Sequence, residues 1–82
     1  MIVPKKYFVI EAGYYPKDSV WTQNIKAYNT LHDAKMEYYT RMGALMASKQ
    51  AAQALLYIVS SDGNKIDGDA VETSYVDPEA GA

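Results

Sequence analysis

"TLHDAKMEYYTRMGALMASKQAAQALLYIVSSDG", residues 30–63, decides how this chain folds, because a capped helix, a very apolar strand and a turn follow one another in it. Thr30 is a good N-cap, and Asp33 three residues later forms a short version of the capping box. Asp33 also lies in the first turn, where a negative charge favours the helix dipole. The pattern predicts a helix over 31–48. At ~100° per residue, Leu31, Ala34, Tyr38, Met42 and Leu45 fall within one arc of roughly 80°, which is the stripe a sheet would cover. Met36, Tyr39, Gly43, Met46 and Ala47 form a second ridge beside that stripe. Gly43 inside a helix costs ~1 kcal/mol relative to alanine, a cost that close approach by another backbone would explain.

After the helix comes "AQALLYIVS", predicted as a strand over 52–60, and then Asp62-Gly63, a hairpin dipeptide. Working outward, "KYFVIEA" (6–12) reads as a first strand that is apolar on both faces, with Tyr7 and Val9 on one and Phe8 and Ile10 on the other. Gly13 and Pro16 punctuate a loop. "VWTQNIKAY" (20–28) is a more polar strand with Trp21, Ile25 and Ala27 sharing a face. A fourth strand is predicted over 69–76, ending before Pro78. The fold class expected is α+β, a ββαββ chain. If strand 1 runs up, strand 3 runs down after the helix, so the two pair directly in the order 2-1-3-4. The greasy strands then sit in the centre and the polar ones at the edges. One helix lies on one face of this four-stranded antiparallel sheet. Residues 1–76 make one domain, with 77–82 expected as a disordered tail.

A single helix covers a single sheet face, so the second apolar row of strand 3, Leu55, Tyr57 and Val59, is expected to lie open. With Met36, Tyr39, Gly43, Met46 and Ala47 it is the candidate oligomer interface. The alternative for the helix ridge is burial under its own chain at 49–53. A chain of 82 residues is marginal as a monomer, and it has no cysteine for disulfides or thiolate zinc. Oligomerisation is the remaining device for a small scaffold, and a homodimer or larger closed assembly is expected.

Composition narrows the function classes. Eight tyrosines against one Phe and one Trp suit half-buried or partner-facing surfaces. No apolar run reaches the ~20 residues of a transmembrane helix, and the N-terminal residues do not read as a signal peptide, so a cytoplasmic protein is expected. Seven of the eight basic residues lie in 1–61, whereas 62–82 carries six acidic residues and Lys65 alone. That acidic end reads either as a solvated hairpin and tail or as a surface for a basic partner. Direct nucleic-acid binding is not expected, since the basic residues are scattered and the pI is about 5.1.

Histidine occurs once, as His32 at the second helix position, which leaves no set for zinc and no evident triad; neither a metal nor a cofactor nor an enzyme is expected. "DGNKIDGD" (62–69) departs from a calcium loop at the third and last ligand positions, with Ile66 and Thr73 there, and reads as a turn. "GYYPKDSVW" is the one candidate ligand site: Tyr14, Tyr15 and Trp21 beside Lys17 combine rings and a cation as a nucleotide site does. The same rings could simply pack over the end of the sheet.

"KYFVIEA", "TLHDAKMEYY" followed by "MG", and an apolar strand closed by "DGN" together resemble short uncharacterised proteins encoded by phages, prophages and gut Firmicutes. The resemblance covers about residues 5–70, and the segments carrying it are fold-determining. It implies a phage accessory protein, with counteraction of a host defence system by protein binding or nucleotide sequestration as its role. The expectation is therefore a non-enzymatic, homo-oligomeric binding protein whose partners are its own copies and a host protein or small nucleotide.

Overall fold

The structure, a computed structural model, describes residues 2–77. Its elements follow the order β1 (Tyr7–Tyr15), β2 (Val20–Tyr28), α1 (Leu31–Met46), β3 (Gln53–Ser60) and β4 (Lys65–Val71). The four strands form one antiparallel sheet in the order β2-β1-β3-β4, with the helix on one face, so the fold is α+β with ββαββ connectivity. No described helix is long and apolar enough to cross a membrane.

The helix starts where its cap dictates. Thr30 has extended backbone (φ −127°, ψ 150°), and its hydroxyl oxygen accepts from the Asp33 N–H at 3.2 Å. Ala34, Tyr38 and Leu45 are buried against the sheet, with Leu31 and Met42 packed at the margin, as the stripe predicts. Across the sheet they meet Val9, Ala54, Leu56, Ile58 and Val71. Leu56 and Ile58 are fully buried. Each side chain so enclosed contributes on the order of 1.5–3 kcal/mol of hydrophobic stabilisation.

Three elements, β1, α1 and β4, differ from the sequence reading by two residues or more at an end. β1 runs on to Tyr15, because Tyr14 and Tyr15 pair with Trp21 and Val20 and the hairpin loop shrinks to 16–19. Ser19 closes that loop with a positive φ of 52°. The helix ends at Met46, where Ala47 donates back to the Gly43 carbonyl at 3.1 Å and Ser48 to that of Leu45. The largest correction concerns β4, which occupies Lys65–Val71 and not 69–76. Ser60 donates its N–H to the Asn64 carbonyl at 2.8 Å, so the Asp62-Gly63 turn closes at once and the return strand begins at Lys65. Asp67, Gly68 and Asp69 are poor strand formers, and that composition conceals the strand. Ile66 is the extra residue of a bulge, since Ile58 pairs with Asp67 and Val59 with Lys65.

Beyond β4 the chain crosses the helix C-terminus. Ser74 donates its hydroxyl to the Met46 carbonyl at 2.6 Å and its N–H to the Ser48 carbonyl at 2.9 Å. Thr73 donates to the Ala51 carbonyl at 2.7 Å. The bond to Met46 satisfies a carbonyl that the helix end leaves without an intrahelical partner, and the other two hold the connection between α1 and β3. Apart from residue 77, the segment expected as a disordered tail lies outside the described residues.

Candidate functional site

The pairing register sorts every strand side chain onto one of two faces, because residues directly opposite one another point the same way. Val9, Leu56 and Ile58 face the helix, and so do the charges of the sheet: Glu11 and Asp69 stand opposite Leu56, Lys26 opposite Val9, and Asp67 opposite Ile58. Glu11 and Arg41 form a two-pronged ion pair there, from Nε at 2.6 Å and Nη2 at 3.0 Å. The Glu11 hydrogen bond pushes the guanidinium pKa up, against the lowering effect of burial. Lys26 reaches Glu37 on the helix at 3.9 Å. The Tyr38 hydroxyl is pushed above its ordinary value by burial first and then by Asp67, Tyr39 and Asp69. Charge is thus gathered at the helix–sheet layer.

The opposite face carries almost none. Its rows run Trp21–Tyr14–Gln53, Gln23–Ala12–Leu55–Ala70, Ile25–Ile10–Tyr57–Gly68 and Ala27–Phe8–Val59–Lys65. The single charged side chain is Lys65 on the edge strand, with its ammonium 5.8 Å from the Tyr57 ring centroid. No described helix or strand lies over this face, and at its β3–β4 end Thr73 and Tyr75 border a depression with Leu55 and Ala70. Trp21 is 54% exposed and Ile25 59%, while Phe8, Ile10, Leu55, Tyr57 and Val59 are half-buried by their own neighbours. The expected row of Leu55, Tyr57 and Val59 is therefore the centre of a wider apolar field. Sequence reasoning missed Phe8, Ile10 and Ile25 as parts of it. The signal was present, because the strand order and the alternation of β1 together put Phe8 and Ile10 beside that row.

Gly68 keeps the field flat. It holds a positive φ of 146°, and a Cβ there would collide with the Tyr57 ring and stand 2.8 Å from the Leu56 carbonyl oxygen. The Tyr57 ring can therefore lie down across β4, where any side chain in place of the glycine would lift it.

On the helix, Met36, Tyr39, Gly43, Met46 and Ala47 are all exposed, so their own chain does not cover the ridge at 49–53. A Cβ at Gly43 would meet nothing within 4 Å. The molecule thus presents an apolar sheet face on one side and an apolar helix ridge on the other.

The four aromatic and basic candidates divide. Tyr14 and Trp21 are cross-strand partners with ring centroids 5.3 Å apart and planes tilted by 46°. Tyr15, one residue on, points to the helix side by strand alternation. It borders a depression of about 160 Å³ with Lys17, Asp18 and Gln50. The structure brings together one pair of rings, and it parts Tyr15 from them. The cause is the extension of β1 through Tyr15. His32 is exposed in the first turn of the helix, and the described residues hold no group of three or more metal-ligating side chains. Residues 62–69 form the β3–β4 turn and the start of β4, with Asp67 and Asp69 accepting from the N–H of the residue after each.

Compared with known proteins, the chain matches no family model, no curated protein and no solved structure.

Proposed function

We propose that this chain is a non-enzymatic binding protein that works as a homo-oligomer and acts through protein–protein contact. One observation carries the reading: the fold completes its core and still leaves apolar surface uncovered on two sides, the open sheet face and the Met36–Tyr39–Met46 ridge. Contiguous exposed apolar surface marks interaction sites, and a chain of this size gains needed stability by covering it. Three ion pairs, Glu11 with Arg41, Lys26 with Glu37 and Lys5 with Asp62, tie some of its charged groups to the fold. The resemblance to small phage and prophage proteins extends the reading to an accessory role in the host cytoplasm. There, one surface joins copies and another engages a host protein, with defence components as the class implied.

Sedimentation velocity from low to high micromolar protein tests the proposal. The expected mass is a multiple of the 9.1 kDa chain. A monomer at every concentration overturns it.

The Tyr14–Trp21 ring pair favours a second reading, in which the protein sequesters a nucleotide at a subunit boundary. Quenching of Trp21 emission by adenine or cyclic nucleotides is its expected signature, and an unchanged spectrum across such a panel overturns it.

A further inference from the structure

We infer that the open sheet face is the surface that joins two copies of this chain, packed face to face as a sandwich, and that the helix ridge stays free of that contact. The inference rests on the homo-oligomer reading and specifies its interface.

Shape, area and charge each select the occupant. Strands of seven to nine residues in a four-stranded sheet make a face roughly 19 Å wide and 28 Å long, on the order of 500 Å² in projection. Accessible area exceeds projected area, so two such faces together remove on the order of 1,200–1,500 Å² from water, within the range of a stable specific interface. A single helix about 10 Å across would leave half of that width wet. A second sheet of equal width covers all of it at the usual sandwich spacing of ~10 Å.

The relief of the face suits a sheet. Ala12, Ala27 and Ala70 are low points set among Phe8, Ile10, Ile25, Leu55 and Tyr57, and interdigitation of large with small is how sandwich cores fill. The Tyr57 ring lies down over Gly68 and so presents no obstacle. A like copy also meets no charge conflict, because the strand carboxylates and Lys26 face the helix and Lys65 stands on the outer strand. The ridge is narrower and is interrupted by Gly43.

The sole tryptophan reports on this face directly. Wild-type protein is to be compared by sedimentation and by Trp21 emission with I25K, L55K and I25T on the sheet, and with M36K and Y39K on the ridge. Far-UV circular dichroism checks the fold of each. Ile25 lies exposed on an edge strand, and threonine keeps the strand preference there, so I25T separates a lost contact from a lost fold. The expected result is a wild-type dimer whose Trp21 emission moves to the blue as concentration rises. I25K and L55K weaken it by at least ~30-fold and I25T by less, while M36K and Y39K stay within about threefold of wild type. A dimer lost in the ridge variants and kept in the sheet variants overturns this interface and leaves the homo-oligomer reading standing. A dimer indifferent to both sets does the same, and moves the contact to a strand edge. A wild type that is monomeric throughout overturns both readings and gives the face to a different protein.

Discussion

Gly68 and Tyr57 face one another across β3 and β4, and the pair shows how one missing methyl group shapes a surface. An added Cβ at Gly68 meets the Tyr57 ring and two backbone atoms at 2.8 Å, in a backbone conformation that L side chains rarely adopt. Gly68→Ala is expected to cost about 2–3 kcal/mol, read from the urea midpoint, and to raise Tyr57 from the sheet. A second residue-level effect depends on pH. The Ser60 hydroxyl donates to the Asp62 carboxylate, and that bond, helped by Lys5 at 3.4 Å, holds its pKa below the ordinary carboxylate value. A depressed folded-state pKa gives stability that is fully present above the unfolded value of ~3.9 and is lost as pH falls through the folded one. Asp62→Asn should therefore flatten the fall in stability below ~pH 4, and leave a smaller difference between its midpoints at neutral and acid pH than wild type shows. An equal fall in both proteins would refute this account of the turn.

Among the elements, the helix was the most legible, and the reason is that its signals are local. Thr30 and Asp33 fix its start by hydrogen bonding over one turn, and the stripe from Leu31 to Leu45 names the face it buries. Its end was not legible, since the Met46 carbonyl is capped by Ser74, 28 residues later in the chain. Ser74→Ala removes one donor at this helix end and should cost about 1 kcal/mol in thermal or urea unfolding. A helix end indifferent to that change would mean that water serves as well. Strand β4 was misplaced for a related reason: Asp67, Gly68 and Asp69 carry no strand propensity, and their pairing with Ile58, Tyr57 and Leu56 holds them extended. The candidate ring site suffered the opposite error. Gly13 and Pro16 suggested an early loop, but Gly13 remains inside β1 and so sets Tyr14 and Tyr15 on opposite faces.

For the whole molecule, the proposed pairing of two open sheet faces would link folding to association. A dimer that buries the open face should have a melting temperature that rises with protein concentration, whereas a lone domain melts at a fixed one. Calorimetry over a hundredfold range of concentration distinguishes them, and a constant melting temperature counts against linkage. The sequence by itself determined the element types, their order and the antiparallel pairing of β1 with β3, because alternation, capping and chain direction are properties of neighbouring residues. It also determined that apolar surface exceeds what one helix can cover. It located part of that surplus, in the Leu55–Tyr57–Val59 row and the helix ridge, and only the tertiary structure decided its full extent across the sheet. Register across three strand pairs gathers Phe8, Ile10, Trp21, Ile25, Leu55 and Tyr57 from distant parts of the chain onto one face, and gathers Glu11, Lys26, Asp67 and Asp69 onto the other. That sorting depends on contacts between residues far apart in sequence, and no local pattern encodes it.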